Sequence, residues 1–122
     1  MDATLQPNGP GVLPVGVEKK DATVNVASLD SNLMVALAKI GRVHLDLFGK
    51  PLIITSANDG KHTTGSKHYV NKAVDARTVD KTPEEQQLFL LILLFLDTKL
   101  RLMIFDERQL PGSDHVHIEL AD

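Results

Sequence analysis

TPEEQQLFLLILLFLDTKLRLMIF, residues 82–105, holds a helix followed directly by a strand, and its reading decides the fold class. Thr82 with Glu85 three residues later forms a capping box, and Pro83 takes the first helical position, where its missing N–H loses nothing. The helix is predicted to run to about Lys99. Its centre, Leu88 to Leu96, is nine apolar residues in a row. Such a segment calls for partners on more than one side, a sheet and another helix or a second subunit. Nine is about half of the roughly 20 residues that a membrane-spanning helix needs, so no membrane span is expected. Leu102 to Phe105 then reads as a strand.

Upstream, Leu33, Leu37, Ile40, Leu45 and Phe48 recur near helical spacing between Ser28 and Phe48. Asp30 or Ser31 is placed to cap the start and Gly49 to close the end, with Gly41 tolerated inside. Pro51 bars continuation, Leu52 to Thr55 reads as a short buried strand, and Ser56 to Lys67 is a polar loop of twelve residues. Loops of that length tend to be functional. Downstream, Pro111-Gly112 reads as a turn and His115 to Leu120 as a closing strand. Helices and strands are interspersed without a repeated βα period, which predicts an α+β fold: a small, largely antiparallel sheet packed with two main helices. Gln6 to Gly16 holds three prolines and three glycines, so residues 1–27 are expected to be a loose lead-in to a single domain spanning 28–122.

The chain of 122 residues is one domain's worth. Apolar residues at 43% and charged residues at 24% exclude the composition of disorder. There is no cysteine, hence neither a disulfide framework nor a thiolate metal site, and any metal must be held by imidazole and carboxylate. A net charge of -3, with one tyrosine and four phenylalanines, argues against a nucleic-acid partner. Met1 to Gly16 lacks the basic stretch and apolar run of a secretory signal.

The chemistry concentrates in Ser66–Arg77 and Asp114–Glu119. If Asn71-Lys72 forms a hairpin turn, Val70 pairs with Ala73, Tyr69 with Val74 and His68 with Asp75; directly opposed residues share a face, which sets His68 and Asp75 at a spacing suited to sharing an ion. In the closing strand Val116, Ile118 and Leu120 alternate with His115, His117 and Glu119, so both imidazoles are predicted to point away from the core. Two histidines, a facing aspartate and a nearby acid are the ingredients of a catalytic zinc site. His44, with no acidic partner at ligand spacing, reads as structural or simply exposed.

Ser66-Lys67-His68 followed by Ala73 and Asp75 resembles the S-x-H-x-x-G-x-A-x-D pattern of the zinc D-Ala-D-Ala carboxypeptidases, vancomycin-resistance dipeptidases and phage endolysin L-alanyl-D-glutamate peptidases, with Asn71 where they have glycine. Asp114-His115-Val116-His117 is similar to their second motif, and the two motifs stand in the family's order. The resemblance covers roughly Leu33 to Leu120. It implies a Hedgehog/DD-peptidase-like fold, one zinc per chain held by His68, Asp75 and His117, and Asp114 as the general base for amide hydrolysis in a peptidoglycan peptide. It further implies that Ser66 contacts substrate and that His115 stabilises the oxyanion or supports the ligands. The arginine that the family places after its Thr-Ser pair is missing, and Lys61 or His62 is the candidate to replace it, although lysine cannot offer a guanidinium's bidentate fork. With no signal or anchor recognised, the expectation is synthesis in the cytoplasm and access to the cell wall after holin-type release or with a virion. Two other readings stay open: an inactive zinc-binding or wall-binding module of the same fold, against which Asp114 speaks, and a virion structural component. The cleaved bond and the oligomeric state are left open.

Overall fold

The computed structural model describes residues 12–59, 65–109 and 115–121. Its elements are β1 (Val17–Lys19), α1 (Ser31–Phe48), β2 (Leu52–Ser56), a short 3-10 helix (Lys67–Val70), β3 (Ala73–Arg77), α2 (Pro83–Leu100), β4 (Leu102–Asp106) and β5 (His115–Leu120). The five strands form one sheet in the order β1-β2-β3-β5-β4, with β1 parallel to β2 and every other pairing antiparallel. The fold is α+β, as the alternation of helical and strand patterns predicts.

Both helices begin, and α1 ends, on the signals the sequence carries. At the start of α1 the Asp30 carboxylate accepts hydrogen bonds from the backbone N–H of Asn32 at 2.8 Å and of Leu33 at 3.4 Å, satisfying two donors that have no intrahelical partner. Gly49 ends it in the left-handed region at φ 69°. For α2, Glu85 N–H donates to Thr82 Oγ1 at 3.1 Å while Thr82 N–H donates to Glu85 Oε1 at 2.9 Å, which is the capping box in both directions.

Leu33, Ala36, Leu37, Ile40, Gly41 and His44 are the buried residues of α1, a single face at helical spacing. They meet Leu52 and Ile54 of β2, Val74 and Ala76 of β3, Val116 and Ile118 of β5, and Phe89 and Leu93 of α2. Truncating Phe89 to alanine in this core is expected to cost about 3–5 kcal/mol. Gly41 is required where it stands, because a Cβ there would lie 2.4 Å from Val17 Cγ2 and 2.8 Å from the Gly16 carbonyl oxygen. The helix can approach β1 only at a residue without a side chain.

One expectation is corrected. Residues 17–27 are not a loose lead-in: β1 forms the edge of the sheet, and Val17, Val24 and Val26 are buried core residues. The composition of Gln6–Gly16 masked this, since the apolar anchors after it are single valines among polar residues. Within the chain α2 is covered on one side, where Phe89 and Leu93 are its buried residues. Among the described residues no helix is long and apolar enough to cross a membrane.

Candidate metal centre

Strand alternation divides β3 and β5 between two faces. Val74, Ala76, Val116 and Ile118 enter the core beneath the helices, leaving Asp75, His115, His117 and Glu119 on the opposite face. Asp75 pairs directly with His117 across β3 and β5, and with Ser56 across a register shift between β2 and β3.

His68 reaches the same point by another route than the hairpin expected from Tyr69–Val74. Residues 67–70 are a 3-10 helix, so His68 is not a strand residue opposite Asp75. The reason is local. Ser66 Oγ accepts the His68 N–H at 3.2 Å and caps the turn, and Asn71, in the left-handed region at φ 63°, closes it. The Asn71 N–H donates to His68 O at 3.1 Å and the Lys72 N–H to Lys67 O at 2.9 Å. Lys67 ties the turn to β5, its ammonium donating to Leu120 O at 2.6 Å and lying 3.3 Å from Glu119 Oε2.

The outcome is a triangle of ligand atoms. His68 Nε2 lies 3.2 Å from Asp75 Oδ1, His117 Nδ1 lies 3.1 Å from the same oxygen, and the two nitrogens are 3.1 Å apart. All three residues are buried, at 2%, 5% and 8% exposure for His68, Asp75 and His117. Four ligands at zinc–nitrogen and zinc–oxygen bond lengths of about 2.0–2.1 Å stand roughly 3.3 Å from one another in a tetrahedron, so the triangle has the size of one face.

The outer atoms of both imidazoles define their tautomers. His68 Nδ1 is 2.8 Å from the Ala57 carbonyl oxygen, and His117 Nε2 is 2.8 Å from Glu119 Oε1. A carbonyl and a carboxylate only accept, so both outer nitrogens carry the proton and donate. In neutral imidazoles the inner nitrogens are then bare lone pairs, directed at each other and at a carboxylate oxygen. Three acceptor atoms 3.1–3.2 Å from one another repel unless a proton or a metal ion lies among them. Outer hydrogen bonds from ligand imidazoles to carbonyl and carboxylate groups are the usual support of a metal site. The Ala57 carbonyl is itself held, because Asp59 Oδ1 accepts from Ala57 N at 2.8 Å and from Asn25 N at 2.9 Å.

The charges respond as this geometry requires. Burial works to raise the Asp75 pKa, but its close contacts with His117 and His68 outweigh it and hold the carboxyl well below the usual carboxylate range. Burial likewise works to lower the His117 pKa, and its bonds to Asp75 and Glu119 raise it instead.

A second group surrounds the other Asp75 oxygen. His115 Nε2 donates to Glu107 Oε1 at 2.7 Å and stands 3.5 Å from Asp75 Oδ2. Asp75, Glu107 and His115 are also within ligand distance of one another, yet the short His115–Glu107 bond satisfies both groups without an ion. Beside them lies a cleft of about 470 Å³ lined by Lys20, Thr55, Ser56, Asp75, Arg77 and His115, among others.

Of the residues singled out from sequence, the structure brings together His68, Asp75 and His117, with His115 adjacent through Asp75. Ser66 acts as the cap of the 3-10 helix. Asp114, Lys61 and His62 lie outside the described residues. Glu119, on the same strand face, is engaged by His117 and Lys67. Glu107, Lys20 and Arg77 were missed. Arg77 was findable, since it shares the strand face of Asp75 two residues away; Glu107 and Lys20 carry no local signal. Comparison with protein-family models, with curated proteins and with solved structures gives no match.

Proposed function

We propose that the protein is a zinc-dependent peptidase that hydrolyses an amide bond next to a D-amino acid in peptidoglycan peptides, with His68, Asp75 and His117 holding one zinc ion per chain. What supports the reading most is the convergence of three buried lone-pair donors whose outer atoms are already tied to acceptors. Two imidazoles and one carboxylate suit zinc and leave a position open for water or substrate, the composition of catalytic rather than closed structural sites. Bound there, the ion supplies Lewis acidity and a water of near-neutral pKa.

The rest falls to the chain's own groups. By its resemblance to the peptidase motif, Asp114, which directly precedes β5 in sequence, takes the proton of the attacking water and returns it to the leaving amine. His115, by the same resemblance, supports the ligands: its Nε2–H is held by Glu107 beside the second oxygen of Asp75. Lys20 and Arg77 line the cleft beside it and supply the positive charge that a substrate carboxylate needs, the part for which the loop carries no arginine.

The test combines metal analysis of zinc-reconstituted protein with digestion of purified peptidoglycan and mass spectrometry of the new termini. One zinc per chain and a new terminus at a D-amino acid are expected. Zinc without cleavage identifies a binding module, and protein that takes up no zinc rejects the reading altogether.

A further inference from the structure

On the far side of the helical layer from the metal centre, α2 presents an apolar stripe to solvent. Leu88, Leu91, Leu94 and Phe95 are 43%, 63%, 54% and 70% exposed. At about 100° per residue these four, with Glu84 near the first turn and Lys99 in the last, fall within a stripe about 140° wide. An apolar helix face of this kind, bounded by one acidic end and one basic end, marks an interaction surface.

The order of residues is self-complementary. Glu84 and Lys99 are equally far from a midpoint between residues 91 and 92, and so are Leu88 and Phe95. Two copies of α2 laid antiparallel about a two-fold axis through that midpoint place Glu84 against the partner's Lys99 twice. They place Leu88 against the partner's Phe95 twice, with Leu91 beside the axis. A parallel pair sets Glu84 against Glu84 and Lys99 against Lys99. The apolar stripe supplies the attraction and the charges choose the direction.

We propose that this face of α2 is a self-association surface whose occupant is a second copy of the chain, docked through its own α2 in antiparallel orientation. The interface is isologous and closes at a dimer. A single helix face is smaller than the roughly 800 Å² per partner of a standard interface, so the dimer forms reversibly and with concentration. It uses no residue of the metal centre and stands independently of the peptidase reading.

Sedimentation velocity from about 1 μM to about 500 μM is the test, and a shift from monomer to dimer is expected across that range. Leu91→Glu, which sets two like charges beside the axis, is expected to be monomeric throughout with an unchanged circular dichroism spectrum; should it misfold, Phe95→Ser serves at the most exposed of the four positions. Glu84→Lys and Lys99→Glu are each expected to weaken the dimer about five- to tenfold, and the two together to restore it. A wild-type protein that stays monomeric over the whole range overturns the proposal, as does a dimer that survives Leu91→Glu or Phe95→Ser. Failure of the double charge exchange to restore association overturns the antiparallel register.

Discussion

Histidines are buried on both sides of the sheet, and they differ in what their second ring nitrogen meets. On the helical side His44 is 1% exposed, its Nδ1 donates to Lys50 O at 2.7 Å, and its ring packs edge-on against Phe48 and Phe89 at centroid distances of 4.8 and 5.5 Å. Its Nε2 has no hydrogen-bond partner among the described residues. On the other side His68 and His117 also give one nitrogen to an acceptor, but their second nitrogens face a carboxylate and each other. Burial, against a lesser opposing effect of the Lys50 carbonyl, drives the His44 pKa down, whereas at His117 carboxylates overcome burial and drive it up. What distinguishes a structural imidazole from a candidate ligand is therefore what its second nitrogen meets, not how deeply it lies.

The sharpest break of this contrast is His117→Ala, which is expected to abolish zinc uptake and turnover together, while His44→Leu leaves both in place; metal analysis and peptidoglycan digestion of the two variants decide it. Zinc affinity of the wild type is expected to fall as the pH drops below about 6, where imidazoles protonate. A His117→Ala protein that binds zinc as the wild type does removes the triangle from the site.

Asp114→Asn tests whether the base is separate from the ligands. The amide is nearly isosteric, so zinc content should be unchanged while kcat falls by roughly 10²–10⁴-fold. Loss of zinc would instead make Asp114 a ligand. Full activity would move the base elsewhere, and Glu107, hydrogen-bonded to His115 beside Asp75, is then the next acid to test.

A smaller effect is expected at the outer partner of His117. Glu119→Gln keeps the shape but removes the carboxylate that accepts its Nε2–H, and zinc affinity by calorimetry should weaken by about 10–100-fold with the fold intact. An unchanged affinity would show that the outer hydrogen bond does not orient the ring.

The smallest effect belongs to His44 and is read in stability. Its folded pKa lies below the unfolded value near 6.5, so the unfolded chain takes up the proton first. Stability is thus full above about pH 6.5 and declines as the pH falls toward the folded pKa, by at most about 1.4 kcal/mol per pH unit. Urea midpoints measured between pH 7 and 5 should lose part of this slope in His44→Leu, whatever its effect on stability at pH 7. In metal-free protein His117 has the opposite sign: its raised folded pKa contributes stability below the unfolded value, lost as the pH rises through the folded one. A slope that steepens in His44→Leu would mean that the ring is not held neutral by its surroundings.

Features governed by neighbours in the chain are legible in the sequence. Asp30 and Thr82 start the helices, Gly49 ends α1, and the alternation of Val116 and Ile118 with His115 and His117 assigns the two faces of β5, because caps and strand alternation act over a few residues. The identities of the three proposed ligands were also legible, through motif spacing. How they meet was not. Asp75 and His117 are 42 residues apart and His68 and His117 are 49 apart, and the contacts rest on the β3–β5 register and on a capped 3-10 turn in place of a hairpin. Only the tertiary structure brought the Ala57 carbonyl and Glu119 to the outer nitrogens, drew β1 into the sheet, and left one side of α2 uncovered. Each of these depends on which distant surfaces are buried together, and no local pattern of side chains encodes that.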